Sequence, residues 1–518
     1  MNLSRQSETL LGASPPKFSV GKLWRASALL AFFNLASRLM GLVRDRVLAS
    51  HFGASDILDV YYTSFQIPDL LFNLLAIGAI STAFIPLFIE YETKMGKEDA
   101  WKLASNFLNL LLAVLFVGIA VLFVLTPWLI DIVAPGFDEG KSYMATLFTR
   151  VMLASPLVFA VSTVAGSVLQ ASNRFLAFAA APLAYNLGII IGAVFLEPIF
   201  GPLGLAEGVV LGALLHLAVQ FPALLKTGFR WVKVFDYKEE GTRRILKLIL
   251  PRSFGLAAAQ VNWVVLNALA TTLGIGAVAS LNFAFNLQFV PIALVGISVA
   301  VATFPTMSRE ALSDGKVFSA RISRTLNNIL LLIVPMSFLF AYLREDVVRI
   351  LLGSGLFGPK DVGLTADILG FFILGVFAQS IIPILARSFY AMQNTRIPVL
   401  AGVISVGVSI FLAFRLIGGW GVLALPLSYA SMGVLNCLIL LVFLKRRMAG
   451  FSLSRLAVNF LKIVYASVIM VLVLTLADVF IDFGADLAGS ILQVLTFSLI
   501  GALTFWLVSR PLAPFRVS

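Results

Sequence analysis

Arg38 and Arg44 are the residues of this 518-residue sequence best placed to do chemistry, because both lie inside an apolar stretch, where a charge is costly. Asn34, Arg38, Gly41 and Asp45 follow one another at helical spacing and share one face. Arg44 lies about 120° round from Arg38, with Gly41 between them. A guanidinium is a planar fork that donates two hydrogen bonds at once, which suits a phosphate oxygen pair. Asp45 or Asp59 would hold an arginine in place while such a site is empty. Asp59, Gln66 and Asn73 recur every seven residues, again on one face, and Thr63 sits beside it. Further along, Gln260 and Asn267 share a face, Arg252 stands near the start of the same segment, and Asn282 and Asn286 fall in the next. These residues predict a hydrated cavity with cationic walls that takes an anionic group. The alternative is a structural ion pair, Arg38 with Asp45 or Asp59. Arg46 reads as an interface anchor, since arginine snorkels, and His216 as a buried, hydrogen-bonded histidine.

Other chemistries find little support. There is no HExxH, no GxSxG and no P-loop. Two histidines, His51 and His216, stand far apart, and Cys437 is the one cysteine, so no disulfide within the chain, metal site or cofactor is expected. The sequence reads as a non-enzyme, although an enzyme acting on a lipid could use Asp and Arg alone.

The elements that carry these residues follow from composition. Apolar residues make up 60% of the chain, charged residues 12%, and mean hydropathy is +0.98. A soluble fold could not bury so much apolar surface; a disordered chain, a coiled coil and a disulfide-stapled domain are excluded with it. What remains is an all-α polytopic membrane protein. A span needs about 20 apolar residues, and about fourteen such segments are legible: 23–50, 57–92, 101–127, 143–171, 176–198, 203–226, 244–273, 277–309, 319–343, 364–392, 396–416, 420–445, 457–478 and 489–508. Pro68 and Pro86 in the second, and Pro291 and Pro305 in the eighth, predict kinks.

The net charge of +12 comes from 38 basic and 26 acidic residues. Bases gather in the tails and even-numbered gaps, acids such as Asp138, Glu197, Glu345 and Asp482 in the odd ones, which predicts cytoplasmic termini. They form no single stripe, so nucleic acid is not an expected partner. Trp128, Trp231 and Trp420 sit near segment ends, as an aromatic belt requires. The predicted organisation is a disordered cytosolic tail (1–22), an N-lobe of helices 1–6 (23–226), a basic cytosolic linker (227–243), a C-lobe of helices 7–12 (244–445), two C-terminal helices (446–509) and a cytosolic tail (510–518). Ala83-Phe84-Ile85-Pro86 echoes Ala302-Thr303-Phe304-Pro305, and Asn173-Arg174 echoes Asn394-Thr395-Arg396, at nearly one offset. The echoes suggest two six-helix lobes related by a parallel pseudo-repeat, with a substrate path between them.

Ser37-Arg38-Leu39-Met40-Gly41-Leu42-Val43-Arg44-Asp45 resembles the SRxxGxxRD signature of the MurJ/MviN lipid II flippases, within the multidrug/oligosaccharidyl-lipid/polysaccharide exporter superfamily. Phe52-Gly53-Ala54, Asp59, Ile67-Pro68-Asp69-Leu70-Leu71, Asn173-Arg174-Phe175, Ala181-Pro182 with Asn186, Pro251, Gly255, Gln260, Asn267 and Phe389-Tyr390-Ala391 continue the pattern in order. The resemblance implies fourteen helices and a bacterial cytoplasmic-membrane location. It implies movement of an undecaprenyl-diphosphate-linked peptidoglycan precursor from the inner to the outer leaflet, with membrane lipids and cell-wall synthesis proteins as candidate partners. It also assigns importance to Arg38, Arg44 and Asp59, and gives the last two helices a groove for the lipid tail. The chain departs from the family at Phe72, Ile77 and Asn286, positions that are often charged, which leaves Arg252 and Arg387 as candidate replacements. Rival readings are a flippase for another undecaprenyl-linked glycan (an O-antigen or exopolysaccharide unit), a non-transporting membrane scaffold and a lipid-linked glycosyltransferase.

Overall fold

Apolar runs in a membrane must satisfy their own backbone groups, and helices do so within one segment. The computed structural model describes residues 20–73, 84–313, 315–448, 450–481, 483–484 and 486–512, without the side chains of 20–28, 30–31, 248–258, 313 and 512. Helices are the only regular structure among the described residues. In chain order they are α1 (Val20–Phe52), α2 (Asp56–Ser64), α3 (Gln66–Phe72), α4 (Ile85–Lys94), α5 (Lys97–Val133), α6 (Glu139–Ala171), α7 (Phe175–Phe200), α8 (Leu203–Leu225) and α9 (Glu240–Thr271). There follow α10 (Ala277–Leu312), α11 (Gly315–Tyr342), α12 (Arg344–Leu352), α13 (Pro359–Ala391), α14 (Arg396–Trp420), α15 (Ala424–Arg447), α16 (Leu453–Phe480) and α17 (Leu487–Leu512).

Ten segments among the described residues are long and apolar enough to span a membrane, and one of them contains both α14 and α15. The expected second span runs into residues 74–83 and the expected N-terminal tail into 1–19, all outside the described residues, as are 513–518 of the C-terminal tail. The expected first and seventh spans are α1 and α9, of 33 and 32 residues. The short helix α12 falls in a gap that the sequence left without structure. The linker is shorter than expected, because Glu239 caps α9 by accepting from the N–H groups of Gly241 and Thr242.

Packing follows from small residues and prolines. Along α7 and α8, a Cβ built on Gly208 would stand 2.5 Å from the Gly192 Cα, so the two backbones touch. Gly208→Val should therefore force the helices apart, at a cost of about 1–3 kcal/mol, read as a lower melting temperature of the detergent-purified protein. Pro68 cannot donate to Ser64, and the chain breaks there between α2 and α3; the Thr149 hydroxyl donates to the freed Ser64 carbonyl at 3.4 Å. Pro291 precedes a π-helical stretch, Ile292–Ile297, whereas Pro305 lies within regular helix. The α6–α7 and α13–α14 turns share one closure. Asn173 and Gln393, 220 positions apart, both have left-handed φ (57° and 55°), and the next N–H reaches back to Leu169 and Phe389 respectively, at 2.8 Å in each case. The two halves thus repeat a backbone device as well as a few residue types.

The largest core joins the two halves at the C-terminal end of α1. Leu48, Phe52, Leu58 and Tyr61 pack with Leu266, Val278, Phe283, Leu352 and Phe357. Polar contacts seal the same end. The Leu356 N–H donates to the Ser50 carbonyl at 2.9 Å, Gly136 N–H to the Thr271 hydroxyl at 3.1 Å, and the Arg46 guanidinium to the Ile350 carbonyl. Arg46, read as an interface anchor, instead fastens α1 to α12.

Candidate functional site

The cleft is built where α1 faces α10. Its volume is about 200 Å³, and Arg38, Gly41, Arg44 and Asp45 line one wall while Phe285, Asn286 and Phe289 line the other. Helical spacing brings the first four to one side of α1, and Gly41 leaves room between the two arginines. Arg38 lies fourteen residues before the end of α1, about 21 Å along the axis from the sealed end.

Asp45 is the hub of the site and is 3% exposed. Its Oδ1 accepts from Arg44 Nε at 3.0 Å and Nη2 at 2.7 Å, and its Oδ2 accepts from Asn286 Nδ2 at 2.9 Å. Arg44 Nη1 donates to Asn186 Oδ1 at 3.1 Å, and Asn186 Nδ2 is held by the Pro182 carbonyl. The ion pair is therefore Arg44 with Asp45, and it also ties the first half of the chain to the second. Arg38 takes no part in it. Its guanidinium stands 5.3 Å from the centre of the Phe289 ring and has no hydrogen-bond or ion-pair partner among the described residues. A cation on an aromatic wall of a cleft keeps its donor fork free for an incoming anion.

Asp59 lies elsewhere. Of the two carboxylates expected to steady an arginine, Asp45 does so, and Asp59 caps α10. Its Oδ2 accepts from Gly276 N–H at 2.7 Å and its Oδ1 from Ala279 N–H at 2.8 Å. It satisfies the helix N-terminus from the opposite half of the chain.

The remaining expected residues scatter. Asn34 is exposed on α1 beyond the cleft. Gln66 is buried and bonds back to the Tyr62 carbonyl at 3.4 Å. Asn267 accepts from Asn282 at 2.9 Å, a clip between α9 and α10. Gln260 and Arg387 are half-buried and do not line the cleft, and the Arg387 Nη1 is buried with no hydrogen-bond partner among the described residues. The Arg252 side chain and Ile77 lie outside the described residues; Phe72 packs on Phe159 at 5.4 Å. His216 is hydrogen-bonded, its Nδ1 lying 2.6 Å from the Ser162 hydroxyl. Asn186, Phe285 and Phe289 were not foreseen as site residues. A lone asparagine in the apolar α7 was the available signal for the first.

A family model described as "Lipid II flippase MurJ" matches residues 48–488. A lipid II flippase MurJ of Burkholderia cenocepacia is 31% identical over 443 residues, 82% of this chain and 84% of that protein. A probable lipid II flippase MurJ of Haemophilus influenzae is 29% identical over 465 residues, 84% and 89% of the two chains. Among solved structures, a lipid II flippase MurJ in an inward closed conformation superposes with a TM-score of 0.79 at 24% identity, over 94% of this chain and 99% of that one. An inward-facing MATE family transporter follows at 0.63 and 16%, over 79% and 94%. These two structures establish the fold.

Proposed function

The chain belongs to the MurJ lipid II flippase family, and we propose that it carries lipid II, the undecaprenyl-diphosphate-linked peptidoglycan precursor, from the inner to the outer leaflet. It is an integral membrane protein; we place it in the bacterial cytoplasmic membrane with both termini on the cytosolic side. A diphosphate and its sugars cannot cross hydrocarbon unaided, because desolvating the charge is prohibitive. A cationic, hydrated cleft replaces that solvation while the prenyl tail stays in lipid. The observation that carries the proposal is the Arg38 guanidinium in the cleft, with no hydrogen-bond or ion-pair partner among the described residues, beside an Arg44 already neutralised by Asp45. Arg38 would meet the diphosphate first, and Arg44 would become available if the substrate displaced Asp45. With the end around Ser50 and Leu356 sealed, substrate would load from the linker side, and alternating access would then require that seal to part.

The protein would act as a transporter with no catalytic group. Expression in cells depleted of their own flippase should restore growth and lipid II externalisation. Rescue confined to a glycan-polymer defect would instead assign a different undecaprenyl-linked substrate, the reading that neutral Asn286 at a cleft wall favours. Product formed from a nucleotide sugar by the purified protein would make it an enzyme.

A further inference from the structure

We propose that the loop between α8 and α9 is a preformed strap that docks on the headgroups of anionic phospholipids. Three side chains of α5 hold it. Ser105 Oγ accepts from Val232 N–H at 3.0 Å, and Asn109 Nδ2 donates to the Val234 carbonyl at 2.8 Å. Asn109 Oδ1 accepts from the Trp231 indole at 3.0 Å, and Asn106 makes a reciprocal pair with the Asp236 backbone, 2.7 Å each way. With the backbone bound inward, the large side chains face out. Trp231, Phe235 and Tyr237 are 58%, 64% and 66% exposed. Arg230, Lys233 and Lys238 are exposed among them and have no ion-pair partner among the described residues. Of the two acids in this loop, Asp236 spends one carboxylate oxygen on the Lys238 N–H at 2.8 Å, and Glu239 spends both on the N–H groups of Gly241 and Thr242.

Depth and direction point to the leaflet. The exposed apolar run of α5 begins at Val114, five residues beyond Asn109; a hydrocarbon boundary at Val114 would leave the strap about 7.5 Å outside it, at headgroup level. Ser105, exposed Phe116 and exposed Phe123 are spaced by eleven and seven residues, so the strap lies over a face that meets lipid. Aromatic rings interleaved with unpaired bases at that level match an anionic membrane surface, which supplies charge to the bases and an interface to the rings.

The test is hydrogen exchange of residues 229–238 in the full chain, reconstituted in nanodiscs of phosphatidylcholine alone or mixed equally with phosphatidylglycerol. Exchange should slow by about tenfold in the anionic discs. Half-molar salt, or the combined change Arg230→Gln, Lys233→Gln and Lys238→Gln, should remove the difference. Equal exchange in the two disc types, or slowing that survives salt, overturns the proposal. So does equal slowing by inorganic diphosphate in neutral discs, which would mark a site for free anions. The salt arm keeps the test decisive if the triple variant does not fold.

Discussion

Arg38→Gln should abolish rescue of flippase-depleted cells while leaving the amount of folded protein in the membrane unchanged. The cleft ion pair and both asparagine contacts run through Arg44 and Asp45, so among the described residues Arg38→Gln gives up only the stacking on the Phe289 ring. Loss of the guanidinium removes charge-assisted hydrogen bonds to the diphosphate, worth about 1.5–3 kcal/mol or roughly 10- to 150-fold in affinity. Arg38→Lys should recover only part of this, because an ammonium cannot fork two bonds. Arg44→Ala should differ in kind. It strands a buried Asp45 carboxylate, so it should lower membrane protein and thermal stability as well as transport. Equal, full rescue by both variants would leave the arginines without a transport role.

Asp59→Ala should shift the conformational balance more than any other single change outside the cleft. It deprives two N–H groups at the start of α10 of their partner within the sealed end. Unmet helix-end donors and a lost cap cost about 0.5–2 kcal/mol, and a loss near the top of that range moves a two-state balance about 30-fold. Labels at Tyr143→Cys and Ile275→Cys, both exposed at that end on opposite halves, should then report a longer distance population, and lipid II transport should fall. Asp59→Asn keeps one acceptor and should lie between. An unchanged distance distribution would reduce Asp59 to a local cap.

Part of this site was legible in the sequence. Arg38, Gly41 and Asp45 fall on one face through helical period alone, and the structure puts all three on the cleft. The Asp45–Asn286 contact joins positions 241 apart, and no local pattern encodes it. The role of Asp59 was hidden for a related reason. The α10 helix opens after Gly276, in left-handed backbone with no side-chain cap of its own. A helix inside a membrane that lacks a cap needs one from elsewhere, but the sequence does not say from where. Gln260, Asn267 and Arg387 do not line the cleft; a polar side chain in an apolar run signals only a partner or water. Asn267 found its partner in Asn282 on the next helix. The fold was more legible than the site, because the length of apolar runs is a local property. The exception was α12, nine residues long, too short to register as a span and placed by its contacts with α1 and α17.

Transport of lipid II through this cleft requires water and a diphosphate to reach Arg38. The one cysteine, Cys437, is buried, so Leu42→Cys gives a single thiol on the cleft wall. A membrane-impermeant thiol reagent should label it in the native protein, and saturating lipid II should protect it. A thiol that reacts only after denaturation, or one that lipid II leaves fully reactive, would contradict the account.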